Sequence, residues 1–175
     1  MTEYQFPLRV GGKWVVSETA LLTGAESGTM MHSAESVRYL IVHCTATRPT
    51  LPFTVEQLRR SHLRRGFRTI GYHFYIRTDG TVTQHRRLLE VGAHCRPFNR
   101  CSIGICYEGG LDAAGRPADT RTLAQRAALR GLLGQLHAIF PQAVVRGHRD
   151  MPGATPKACP CFDATAEYRD ITHEE

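Results

Sequence analysis

Two histidines and one cysteine stand where a chain can bring them together. His43 closes the apolar run Tyr39-Leu40-Ile41-Val42, and His148 follows the short run from Ala143 to Arg146 across Gly147. Both are places where a strand hands a side chain to one edge of a sheet, and catalytic residues collect at such edges. Cys159 comes eleven residues after His148, in the loop MPGATPKACPCF. Prolines at 152, 156 and 160 stiffen that loop, so a thiolate there is held with little loss of entropy. Two imidazole nitrogens and a thiolate form a catalytic zinc set that leaves the fourth tetrahedral position to water. The set carries one negative charge against the metal's two positive ones, and the surplus lowers the pKa of bound water toward about 7. Spacing alone leaves a second reading open. A strand-end histidine is more often structural than a ligand, nine histidines are present, and no CxxC or HExxH motif singles out this set.

The elements that must position these residues follow from pattern. The apolar run at 37–43 predicts a strand buried on both faces. A helix follows, opened by the capping box Thr54/Gln57 and stopped by Gly66, with Val55, Leu58 and His62 on one face. In GYHFYIRTDGTVTQHR, Asp79-Gly80 is a hairpin turn between alternating strands. Alternation puts Tyr72, Phe74 and Ile76 on one side and His73, Tyr75 and Arg77 on the other. A further strand covers Ser102 to Glu108. A second capping box, Thr122/Gln125, opens a long helix striped by Leu129, Leu132, Leu133, Leu136, Ile139 and Phe140 and ended by Pro141. A short strand from Ala143 to Arg146 comes last. This order predicts a single α/β (α+β) domain, a mixed central sheet flanked by helices.

Residues 1–36 differ in character. Phe6 to Val10 and Trp14 to Val16 flank Gly11-Gly12-Lys13 as a small hairpin would, and Leu21 to Ser36 is small, polar and without period. We expect an N-terminal extension over 1–36, a catalytic domain over 37–170 and a tail over 171–175.

Composition narrows the function classes. With 42% hydrophobic and 22% charged residues in 175, the chain can bury a core without disulfide staples. No run approaches the roughly 18 apolar residues of a membrane span. The start, MTEYQFPLRVGGK, lacks a basic segment followed by an apolar one, so synthesis in the cytoplasm without a secretory signal is expected. The net charge of +6 favours anionic partners, and both nucleic acid and the acidic bacterial wall qualify. The densest basic patch, Arg59-Arg60 with Arg64-Arg65, falls on one helix and reads as a solvated face rather than a nucleic-acid signature. Cys44 and Cys106 lie in apolar runs as small core residues. A Cys95–Cys101 disulfide remains open, and Cys161 is expected to point away from Cys159. His62, His85 and His137 are expected at the surface or on a helix face, and His73 is structural or exposed.

The motifs VHCTATRP, GYHFYIRTDGTV, VGAH with SIGIC, and HRD with PKACP occur in this order. Over roughly residues 37 to 165 the chain resembles the bacteriophage lysozyme-type N-acetylmuramoyl-L-alanine amidases, relatives of the animal peptidoglycan recognition proteins. The resemblance implies one Zn2+ held by His43, His148 and Cys159, and a catalytic Tyr72 and Lys157. It implies hydrolysis of the amide between N-acetylmuramic acid and L-alanine in peptidoglycan or muropeptide fragments. It also places the loop VGAHCRPFN, with His94 and Asn99, beside the substrate. Lys157, two residues before Cys159, can stabilise the oxyanion of an amide attack, and Tyr72 can orient water or donate to that oxyanion. Glu90 and Glu108 are candidates for a general base only by exclusion. The rival reading is a binding protein that recognises wall fragments without cutting them. In this family loss of the cysteine abolishes zinc binding, and Cys159 is present. Some phage relatives also bind a phage RNA polymerase, and no residue here marks such a surface.

Overall fold

The computed structural model describes residues 9–10, 12–17, 28–154 and 158–174. Along the chain run β1 (Arg9–Val10), β2 (Lys13–Trp14), β3 (Val16–Ser17), β4 (Tyr39–Cys44), helix α1 (Val55–Arg64), β5 (Phe74–Ile76) and β6 (Val82–Gln84). There follow β7 (Ser102–Tyr107), α2 (Leu123–Ile139), β8 (Val144–Gly147) and two short helices, α3 (Ala164–Glu167) and α4 (Arg169–Thr172). Both helices foreseen from capping boxes begin where those boxes lie. The Thr54 and Thr122 hydroxyls accept from the Gln57 and Gln125 amides, and each glutamine side chain reaches back to the cap.

β1 and β2 form the small hairpin, Arg9 opposite Trp14. The other six strands make one sheet in the order β3-β6-β5-β7-β4-β8. β5 and β6 are antiparallel, and the remaining neighbours are parallel, so the sheet is mixed as expected. The sequence gives no warning that β3 adds an edge strand from within residues 1–36.

Register and alternation give the sheet two unlike faces. Leu40 and Val42 of β4, Ile103 and Ile105 of β7, and Phe74 and Ile76 of β5 join one core with Leu129, Leu132, Leu133 and Leu136 of α2. Each of those leucines is fully buried, which stabilises by roughly 1.5–3 kcal/mol apiece. The opposite face carries His43 aligned with Cys106 and Tyr75, and Ile41 aligned with Gly104. On that side Leu58 of α1 packs with Ile70, Tyr75 and Cys106 in a smaller cluster.

Three readings are corrected here. Tyr72 packs with Tyr75, not with Phe74 and Ile76. Strand alternation does not reach it because residues 71–73 bend before β5 begins. Gly71 sits so close to the neighbouring loop that a Cβ there would lie 2.1 Å from the Ala93 carbonyl oxygen. His85 is buried rather than at the surface or on a helix, while His62 is buried on the helix face it shares with Leu58. The His62 Nδ1 accepts from the Gly71 amide at 2.8 Å, a partner from beyond the helix. Glu90 and Glu108 are consumed by structure. Glu90 pairs with Arg68 and Arg86, and Glu108 takes Arg77 and the Phe53 and Thr78 amides. Cys95 and Cys101 are free thiols.

Candidate active site

β4 and β8 lie side by side and parallel, and their last pair is Val42 with Gly147. One residue further along each strand come His43 and His148, so the two imidazoles leave the same sheet edge, ring centroids 4.5 Å apart. The loop after His148 returns to this edge. The Arg149 amide donates to the Cys159 carbonyl at 2.7 Å, and the Cys44 amide donates to the Cys159 Sγ at 3.3 Å. One nitrogen from each histidine and the Cys159 sulfur thus lie within 4.8 Å of one another, all three residues buried.

This donor set fits a thiophilic divalent ion. Two imidazoles and one sulfur match the ligand types of an open zinc site, and no carboxylate among the described residues joins the cluster. Burial, and then the His94 and His148 rings, push His43 well below the usual imidazole range. A neutral ring keeps a lone pair for a metal.

His94 completes the cluster. Its Nδ1 lies 2.9 Å from His43 Nε2, and its Nε2 lies 3.3 Å from the Ser102 hydroxyl. The ring occupies space that Gly104 leaves open on β7: a Cβ there would fall 2.7–2.8 Å from three His94 ring atoms. Asn99 fixes the loop, its Oδ1 accepting from the His94 and Cys95 amides at 3.0 and 2.8 Å. The Tyr72 ring stands 5.0 Å from that of His43. Burial first, then the nearby Cys106 and Cys159 thiols, holds its phenol well above the usual range, so it stays protonated.

A groove of about 670 Å³ opens over these groups. His43, Tyr72, His94, Asn99, His148 and Cys159 all line it, so six of the seven residues singled out in the sequence share one surface. The seventh, Lys157, lies outside the described residues. Arg65, Phe67 and Arg96 also line the groove and carry no motif that names them in advance. Cys161 faces away from the cluster, its Sγ 3.8 Å from that of Cys44. His73 is buried between the Glu90 carbonyl and the Gly104 amide and is structural.

The family model described as N-acetylmuramoyl-L-alanine amidase matches residues 33–162. The endolysin of Enterobacteria phage K11 is 43% identical over 122 residues, covering 70% of this chain and 79% of that protein. The endolysin of Escherichia phage T7 is 42% identical over 129 residues, covering 74% and 83%. Among solved structures, the endolysin of the Thermus scotoductus bacteriophage Ph2119 superposes with a TM-score of 0.71 at 22% identity, covering 90% of this chain and 98% of that one. At that identity the superposition speaks for the fold.

Proposed function

This chain belongs to the N-acetylmuramoyl-L-alanine amidase family, and from that premise we propose how its residues divide the work. The reaction is hydrolysis of the amide between N-acetylmuramic acid and L-alanine in peptidoglycan. The observation that carries the assignment of roles is the meeting of His43, His148 and Cys159 within 4.8 Å beneath an open groove.

In this reading one Zn2+ is held by His43, His148 and the Cys159 thiolate. So held, it supplies a Lewis acid for the scissile carbonyl and for an attacking water. The His94 ring, bonded to His43, keeps that imidazole in one orientation, and Asn99 keeps the His94 loop in place. Tyr72 holds its proton at Oη and donates it as a hydrogen bond toward the carbonyl oxygen as charge develops there. Lys157, next to Pro156 and two residues before Cys159 in the sequence, is assigned the role of a second, cationic donor to that oxygen. The leaving group is the alanine amine, which departs with a proton.

The catalytic unit is taken as residues 37–170, with 1–36 an extension and 171–175 a tail. Synthesis in the cytoplasm, with action on the wall or its fragments, fits the chain. Among the described residues no helix is long and apolar enough to cross a membrane. The test is product analysis. Digestion of purified peptidoglycan should free peptides beginning with L-alanine and leave glycan strands uncut. A glycosidase would need two carboxylates flanking the glycosidic bond, and new reducing ends without alanine amines would overturn the reading. Binding of wall fragments with neither product would favour the recognition-protein alternative.

A further inference from the structure

Two thiols outside the metal-binding set face each other. The Cys44 and Cys161 sulfurs lie 3.8 Å apart, and neither residue belongs to the cluster of His43, His148 and Cys159. Both are free thiols. A disulfide needs about 2.0 Å between sulfurs, so a shift of about 2 Å joins the pair.

The contact is built into the fold. Cys44 ends β4, and its partner across the sheet, Tyr107, donates from Oη to the Pro160 carbonyl at 2.6 Å. The Cys44 amide donates to the Cys159 sulfur, and the Arg149 amide to the Cys159 carbonyl. The two residues before Cys161 are thus fastened beside Cys44. Gly110 supplies the room: a Cβ there would fall 2.6 Å from the Cys44 sulfur and 3.6 Å from the Cys161 sulfur. Cys161 itself has a φ of 69°, a left-handed conformation that residues with side chains seldom adopt. Such strain persists where the surroundings impose it, and here the Cys161 side chain leaves the cluster for Cys44.

We propose that Cys44 and Cys161 are a disulfide-forming pair, oxidised by a low-molecular-weight disulfide such as that of glutathione. Cys44 is buried and Cys161 partly exposed, so an oxidant reaches the Cys161 sulfur first. That sulfur attacks the oxidant, displaces one thiol and leaves a mixed disulfide. The Cys44 sulfur then attacks the Cys161 sulfur and displaces the second thiol. Two electrons pass to the oxidant, and the two protons end on the two thiols released. The new bond ties positions 117 apart, so it restricts the unfolded chain strongly. It pins the loop that carries Cys159 to β4 and leaves the Cys44 amide its bond to the Cys159 sulfur. A chain made in a reducing compartment gains this clip on reaching an oxidising one. The proposal goes beyond the amidase reading and does not depend on which bond the enzyme cuts.

The full chain, loaded with zinc, is incubated with glutathione disulfide, then unfolded and alkylated, and its peptides are mapped without reduction. The expected product is lighter by two hydrogens before alkylation. It joins the peptides of Cys44 and Cys161 and leaves Cys95, Cys101, Cys106 and Cys159 alkylated. Its melting midpoint should lie roughly 10 °C above that of the reduced chain, and dithiothreitol should reverse the shift. Cys161→Ser should show neither the bond nor the shift. A bridge through Cys159 or between Cys95 and Cys101 would overturn the proposal. So would a product that stops at the mixed disulfide, a chain with every thiol still alkylated after oxidation, or a bridge that leaves the midpoint unchanged. The mapping of wild-type protein decides the pairing even where the variant folds poorly.

Discussion

His43 and His94 meet nitrogen to nitrogen, Nε2 to Nδ1, at 2.9 Å. One proton must lie between these two nitrogens, so each ring sets the tautomer and tilt of the other. His94 takes part only because β7 presents Gly104 at that position. The depth of a groove on one strand thereby governs an imidazole on the next.

His94→Ala should keep the fold but lower metal affinity by about 10–100-fold, as loss of a partner that orients a ligand does. Gly104→Ala should act through the same ring, since its Cβ claims the space of His94. The double variant should then be little worse than either single one. Competition with a chromophoric chelator reads all three, and fully additive losses would separate the two residues.

Purified active protein should contain one zinc per chain. Chelation should abolish activity and added zinc restore it, and Cys159→Ala should leave a folded, metal-poor chain. Affinity should also fall in acid as the ligands protonate. Elemental analysis of active protein without stoichiometric transition metal would end the metal reading.

Tyr72→Phe and Lys157→Ala should retain zinc and fold while losing turnover. Removing one donor to a developing oxyanion costs on the order of 3 kcal/mol, about a hundredfold in kcat. Wild-type rates in both variants would return the tyrosine to a packing role and the lysine to a solvated one.

Acid should destabilise the chain through buried neutral histidines. Burial pushes His73 and His85 down to about 3, and His62 to about 4. In the unfolded chain each returns to about 6.5 and takes up a proton. Their folded pKa values are depressed, so stability is full above about pH 7 and declines as pH falls toward the folded values. The slope is about 1.4 kcal/mol per pH unit for each of the fully protonating pair His73 and His85. Urea midpoints measured with chelator present, so that metal release adds nothing, should drop between pH 7 and pH 5. A constant midpoint would show that these rings are already solvated.

The strands and helices of the sheet are legible because local signals coincide with tertiary demands. The run before His43 is apolar throughout because β4 is covered on both faces, and both capping boxes lie at real helix starts. Tyr72 misleads because alternation is a property of a strand, and the chain bends before β5. The face His62 shares with Val55 and Leu58 is legible, but its partner, the Gly71 amide, comes from the following loop and leaves no signal in the helix. Arg65 cannot be told from Arg59, Arg60 or Arg64 by composition. What separates it is the end of α1, which turns its side chain over Phe67 and into the groove. β3 carries too few residues for any period to show.

The parallel pairing of β4 with β8 also has a consequence for biogenesis. The bond from the Cys44 amide to the Cys159 sulfur spans 115 positions, and no shorter stretch of chain can close it. Such non-local contacts form late in folding, after loop-closure entropy has been overcome. A nascent chain that has emerged only through β7 holds His43 without either of its companions. The three donors therefore meet only when β8 has paired with β4 and Cys159 has come back to the Cys44 amide.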